Sequence, residues 1–196
     1  MRIAGVDEAG RGPWAGPVVA AAVVLHQPRF TTRIGDSKRL TAPQRERAYL
    51  QIVAQAEVGV GIASAAEIDR LNILQATFVA MQRAVGALGL VPDRILVDGN
   101  RAPALPAPCE PIVGGDARHP AISCASIVAK VVRDRLMRFY HTLWPEYALD
   151  EHKGYGTEGH RACLQRFGPC VLHRRSFAPV ALLAQALAGA AAGPSR

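Results

Sequence analysis

Cysteine is scarce in this 196-residue chain, and its four copies are spaced for neither of the frameworks that cysteine builds. Cys109, Cys124, Cys163 and Cys170 show no C-x-x-C pair of the kind that holds zinc and lack the density of a disulfide scaffold, so they read as thiols in a reducing cytoplasm. Long apolar runs are also missing. The first, Pro17 to Leu25, follows the acidic pair Asp7-Glu8 and is too short to cross a bilayer or to serve as a secretory leader. The Ala-rich stretch from Ala178 to Gly193 lacks the span and flanks of an anchor and reads as a packed terminal helix with a frayed end. No repeat period links the 18 glycines and 14 prolines, which excludes collagen-like and solenoid chains and leaves tight turns between apolar segments. Lysine is nearly absent: 20 of the 23 basic residues are arginine, against 16 acidic ones. The net charge of +7 suggests a polyanionic partner but names neither fold nor chemistry.

With 49% hydrophobic and 20% charged residues, the chain has the composition of one compact domain over residues 1–196, with about 178–196 as terminal helix and tail. Arg2 to Asp7 reads as a strand stopped by Gly10-Arg11-Gly12-Pro13, and Val-rich Pro17 to Leu25 as a second. A helix is expected from Pro43 to Ala56 and a third strand from Val58 to Ile62. Helical spacing of Ile73, Leu74, Phe78, Met81, Val85 and Leu88 predicts a helix capped by Asn72. Ile95-Leu96-Val97 then forms a buried strand ending at Asp98, and a Pro-rich loop leads to a short strand around Ile112-Val113. The longest helix is expected at about Ala121 to Leu143, burying Ile127, Val128, Val131, Leu136, Phe139 and Leu143, with Lys130, Arg133, Asp134, Arg135 and Arg138 mainly off that stripe. An irregular loop and two helices, near Glu158 to Phe167 and Pro179 to Ala188, close the chain. Adjacent strands pair as a meander and helix-separated ones run parallel, so the expected fold is α/β: a mixed five-stranded sheet flanked by helices.

Functional groups collect where parallel strands end. Asp7 and Glu8 end the first strand and Asp98 the fourth, and Asp116 follows the last, so adjacency of those strands would bring several carboxylates together. Such groups repel one another and raise their own pKa values unless a hard cation sits among them, Mg²⁺ or Mn²⁺ by the all-oxygen donor set. Two such ions serve phosphodiester hydrolysis. Taken singly, each acid could instead cap a turn or helix. Strict alternation sends Asp7 and Glu8 to opposite faces, so one site takes both only if the backbone bends near Gly10-Arg11-Gly12-Pro13. The glycines there also let main-chain N–H groups approach a sugar or phosphate. A metal-dependent nuclease and a noncatalytic nucleic-acid-binding module both fit a basic chain with such a cluster; metal-dependent turnover separates them.

Gly5-Val6-Asp7-Glu8-Ala9-Gly10-Arg11-Gly12-Pro13, then Asp36-Ser37-Lys38, Val97-Asp98-Gly99, Gly115-Asp116, Ala125-Ser126-Ile127-Val128-Ala129-Lys130 and His152-Lys153-Gly154-Tyr155, together resemble the ribonuclease HII family. The resemblance runs from Ile3 to about Val180. It implies a ribonuclease H-like fold, and endonucleolytic hydrolysis of the RNA strand of RNA/DNA hybrids together with nicking of DNA at embedded ribonucleotides. Asp7, Glu8 and Asp98 would be catalytic metal ligands for Mg²⁺ or Mn²⁺, two ions per site, with Asp116 the fourth acid. Asp134 also matches a family position but, mid-helix, reads as surface support away from the strand ends. Gly10, Arg11 and Gly12 would meet the ribonucleotide 2′-OH, Tyr155 would stack on the next, deoxy sugar, and Lys38 would meet a phosphate. His173-Arg174-Arg175-Ser176-Phe177 matches as well, its arginines tracking the nucleic-acid backbone or capping a turn. The partner is then nucleic acid, with no membrane and no obligatory protein partner, for a monomer.

Overall fold

In the computed structural model, residues 1–26, 29–32, 34 and 37–191 are described. Strand β1 (Ile3–Ala9) carries the opening motif, and β2 (Val18–Leu25) returns antiparallel to it with Asp7 opposite Ala21. Helix α1 (Ala42–Gln55) starts at a capping box in which Thr41 and Gln44 bond each other's main chain, and it leads into β3 (Ala56–Ala63). Helix α2 (Ala65–Leu71), too short to show a period, precedes α3 (Ile73–Gly86), which Asn72 caps as expected. Strands β4 (Arg94–Asp98) and β5 (Cys109–Ile112) complete the sheet, in the order β3-β2-β1-β4-β5. β1 to β3 form an antiparallel meander, while β4 runs parallel to β1 and β5 to β4. Helix α4 (Pro120–Leu143) crosses the sheet, and α5 (Leu149–His152), α6 (Glu158–Phe167) and α7 (Ala178–Ala191) close the fold. No helix among the described residues is long and apolar enough to cross a membrane.

β2 is the middle of the meander, and its run VVAAAVVL is buried on both faces. One face packs Ala4, Val6 and Val24 against Ala76, Ala80 and Ala84 of α3; the other packs Ala21 and Val23 against Ile127 and Val128 of α4 and Ile52 of α1. Small residues let these helices come close. A Cβ on Gly5 would collide with the main chain of Ala121 and Ile122, so α4 lies directly on β1 just two residues before Asp7.

Gly5→Ala should therefore be strongly destabilising, since overpacking at a backbone contact costs about 1–3 kcal/mol or more. In Gly86→Ala the added methyl meets nothing and the helix end is stiffened, so stability should rise by about 0.4–1 kcal/mol. Thermal melts read both. An unchanged Tm for Gly5→Ala would contradict the close approach of α4.

The expected stripe of α4 needs correction at both ends of its chemistry. Phe139 and Leu143 are 56% and 53% exposed, because the helix outlasts the sheet beneath it. Arg133, placed with the solvent-facing charges, is fully buried. Beyond the sheet, the last buried turns of α4 pack Met137 with Tyr147, Leu149, Leu164 and Val180 in a separate core.

Candidate active site

Val6 pairs with Val97 across two parallel strands, and the next residues in that register are Asp7 and Asp98. The expected convergence of strand-end carboxylates is thus a product of the β1–β4 register. Asp7 projects toward α4, 5% exposed, with Ser126 of α4 hydrogen-bonded to it. Its own Oδ1 accepts the Glu8 N–H at 2.7 Å. Asp98 Oδ1 accepts the Gly115 N–H, also at 2.7 Å, which ties β4 to the turn after β5.

Glu8 points the other way along the pleat yet reaches the same opening. Pairing with β4 stops at Val97 while β1 runs on to Ala9, so Glu8 stands beyond the β1–β4 ladder while still paired with Ala20 of β2. There it and Asp98 line both the main cleft, about 270 Å³, and a smaller cavity behind it, floored by Leu74, Phe78 and Met81. β1 therefore outlasts its pairing with β4 just where the glycine turn follows.

Burial, then the Glu8 and Asp98 charges, push the Asp7 carboxyl well above the usual carboxylate range, with Ser126 opposing. Burial raises Glu8 too; Arg11, 3.4 Å from its Oε1, opposes and Asp98 adds to the rise. Glu8 Oε2 is buried with no hydrogen-bond partner among the described residues. An acceptor in that condition is costly unless a cation or proton completes it.

The residues fit a divalent ion held in an open site. Among the described residues no group of three or more His, Cys, Asp or Glu side chains is placed to hold a metal ion unaided. Mg²⁺ normally keeps several waters and takes one or two protein carboxylates plus substrate phosphate, so a cage is not what this ion requires. Asp7, Glu8 and Asp98 would hold it.

Without a cation, the raised Asp7 pKa weakens the fold at neutral pH. The unfolded chain ionises this group first, so stability is whole below the unfolded pKa and falls as pH rises toward the folded one. Asp7→Asn, whose amide oxygen can still accept the Glu8 N–H, should melt higher than wild type at pH 7 in chelator and lose that advantage near pH 3. A lower Tm at pH 7 would contradict the electrostatic picture.

The remaining expected residues are placed as follows. Gly10, Arg11 and Gly12 form one lip of the cleft and Tyr155, 45% exposed, the other. Gly10 has φ +96°, and a side chain there would strike the Arg133 guanidinium. Gly12 faces the Tyr155 ring, 3.8 Å from where its Cβ would stand. Asp116, in the turn Gly115–Ala117, is not on the cleft wall; it connects to it through Gly115 and Asp98. Asp134 is also off the wall, paired at 2.8 Å with Lys130, which lines the cleft. Asp134 thus stands off the cleft wall, as expected of a mid-helix acid, but only one turn from a residue that lines it. Ser126, Lys130 and Arg133 all reach the cleft, and Asp134 follows Lys130 by one turn. The contact expected of Lys38 falls on a side chain outside the described set, as does Asp36.

Sequence reasoning gave no role in the cleft to Ser126 or to Arg133. Their signal was positional: Ile122, Ser126, Ala129, Arg133 and Met137 recur every three or four residues, a buried stripe that includes an arginine.

The family model for Ribonuclease HII matches residues 4–180. A Ribonuclease HII of Maricaulis maris (strain MCS10) is 55% identical over 181 residues, covering 92% of this chain and 83% of that one. The fold is similar to the crystal structure of ribonuclease H2 from Pyrococcus horikoshii OT3, with a TM-score of 0.81, 24% identity and coverage of 96% and 99% of the two chains. Bst-RNase HIII in complex with Mn²⁺ aligns at a TM-score of 0.71 and 19% identity, over 96% of this chain and 70% of that one. The ribonuclease H-like architecture expected from the motifs is therefore present, and the chain belongs to the ribonuclease HII family, endoribonucleases with ribonuclease H activity on RNA/DNA.

Proposed function

We propose that this chain hydrolyses the RNA strand of hybrids at Asp7, Glu8 and Asp98 with two divalent ions, Mg²⁺ or Mn²⁺, leaving 5′-phosphate ends, and that it also nicks DNA at an embedded ribonucleotide. The observation that carries the reading is the Glu8 Oε2, buried and without a hydrogen-bond partner among the described residues, on a side chain that lines with Asp7 and Asp98 a cleft whose lip is Gly10-Arg11-Gly12. A cation satisfies that oxygen and removes the repulsion that raises Asp7 and Glu8. The Mn²⁺ complex of the Bst-RNase HIII neighbour supports the same kind of ion here.

Bound ions would supply an activated water and offset charge on the phosphodiester. The chain does the rest. Asp7 and Asp98 are held by main-chain N–H groups, so their orientation is set before substrate arrives. The glycines on either side of Arg11 leave the main-chain N–H groups of this turn open to a 2′-OH, and Tyr155 opposite them offers a flat face to the next sugar. Lys38 meets a phosphate in this reading. RNA/DNA hybrid and ribonucleotide-containing DNA are the macromolecular partners.

A fourth carboxylate completes the set, and the candidates are Asp116, reached through Gly115 and Asp98, and Asp134, reached through Lys130. The test uses an end-labelled RNA/DNA hybrid with Mg²⁺, Mn²⁺ or chelator. Cleavage should need metal and yield 5′-phosphate, whereas cleavage in chelator would overturn the proposal. In the same assay the fourth acid is whichever of Asp116→Asn and Asp134→Asn loses turnover by a hundredfold or more, about 3 kcal/mol of barrier.

A further inference from the structure

The matched segment His173-Arg174 is not accounted for by the chemistry above. Neither residue lines the cleft, and both are buried, at 2% and 0% exposure. Ala15 bridges to His173, and Gly16 N–H and Arg174 N–H bond Leu172 O and Trp14 O, each at 2.8 Å, so the segment lies against the back of the loop that follows the glycine lip.

From this place the two side chains diverge. Arg174 donates to Gly16 O at 3.0 Å, Arg11 O at 2.9 Å and Gly10 O at 2.5 Å. His173 turns the other way. Its Nδ1 accepts the Cys170 N–H at 3.0 Å, which leaves the proton of the neutral ring on Nε2. That proton goes to His160 Nε2 at 3.0 Å, so His160 carries its own on Nδ1 and donates to Tyr155 O, again at 3.0 Å. Burial first, and neighbouring imidazoles second, push both rings down to about 4, which keeps the chain of donors in one order at neutral pH. Arg133 supplies a cross-tie from α4, bonding Ala15 O and Pro17 O on one loop and Lys153 O on the other.

Among the described residues, all the hydrogen bonds of Arg133 and Arg174 run to main-chain carbonyls and neither forms an ion pair. Burying two guanidiniums without carboxylates is an expensive way to fill space, and apolar side chains of like volume would stabilise a core better. What a planar fork offers instead is fixed geometry at several carbonyls at once.

We infer that His173 and Arg174 are positioning residues that set, from behind the cleft, the separation between the Gly10-Arg11-Gly12 lip and Tyr155, and so the enzyme's selection of a ribonucleotide followed by a deoxynucleotide. Arg174 holds one reader, His173 holds the other through His160, and the peptide bond between them fixes the span. The inference rests on the proposed reading of the two sugars by these elements. Loosening either side should then alter the choice between substrates more than turnover itself.

The experiment compares kcat/KM on a DNA duplex with one ribonucleotide and on a continuous hybrid, using one preparation for both so that any inactive fraction cancels in the ratio. His160→Leu should lower the ratio by about tenfold to a hundredfold, the scale of a small misplacement at a reacting geometry. His160→Gln, whose amide can donate to Tyr155 O, should recover much of it. In a Tyr155→Ala background, His160→Leu should change the ratio no further. Arg174→Lys keeps the charge but loses the fork, and should lower the ratio on its own even if His160→Leu does not fold. A ratio unmoved by His160→Leu or by Arg174→Lys, while Tyr155→Ala moves it, would overturn the inference and leave the sugar reading intact. A ratio unmoved by Tyr155→Ala itself would overturn the sugar reading, and this inference with it.

Discussion

Asp7→Asn and Asp98→Asn should each remove nearly all turnover while leaving the fold and substrate binding in place. Both substitutions keep an oxygen where the main chain needs one, for the Glu8 N–H in the first case and the Gly115 N–H in the second. What disappears is a negative charge from the carboxylates that are proposed to hold the ions. Ion-based stabilisation of developing phosphate charge is worth several kcal/mol, so a loss of about a thousandfold or more in kcat is expected from either change. Binding should survive, because the basic residues that attract phosphate are untouched, and removing an acid reduces repulsion. Near-normal hydrolysis by either variant in Mg²⁺ or Mn²⁺ would remove these residues from the chemistry. The melting comparison given for Asp7→Asn adds a control on folding, since the same variant that loses turnover should be the more stable protein without metal.

Tyr155→Ala should cost about tenfold to a hundredfold on a single-ribonucleotide duplex, matching the roughly 1–3 kcal/mol that an aromatic face contributes against a nucleotide. The ring is half in solvent at the edge of the cleft, facing Gly12, so it is placed for contact and is not a core plug. A ribose at that position would bring a 2′-OH to an apolar face with no acceptor, which is the basis for preferring a deoxy sugar there. The penalty should be smaller on a continuous hybrid, and Tyr155→Phe should retain most activity because the face and not the hydroxyl makes the contact. Equal losses on both substrates would make Tyr155 a packing residue.

Much of the architecture was legible because hydrophobic spacing reports which residues need burial. β2, α3 and β4 show this, and the capping Asn72 and the acids at strand ends follow from local rules of the same kind. Spacing does not report what lies against a face. Phe139 and Leu143 continue the stripe of α4 past the sheet and are left exposed. The reverse failure is more instructive. Arg133 reads in sequence as a charge off the buried stripe and Arg174 as a backbone-tracking or turn-capping residue, because a buried guanidinium satisfied by main-chain carbonyls leaves no complementary acid to find. All but one of those carbonyls belong to residues more than a hundred positions away, so only the folded chain shows the partnership. The place of Asp134 depended similarly on the direction in which α4 crosses the strand ends, a tertiary fact with no local signal.

One measurement bears most directly on the central claim, that a carboxylate-held ion and a 2′-OH reader act together in this cleft. A labelled DNA duplex carrying one ribonucleotide is incubated beside the identical all-DNA duplex, with wild type and with Asp7→Asn, in Mg²⁺, in Mn²⁺ and in chelator. The expected result is a single nick at the ribonucleotide, made by wild type with metal only, and no cleavage of the all-DNA duplex. Cleavage of the all-DNA duplex at a comparable rate, or a nick that persists in chelator or with Asp7→Asn, would contradict the account.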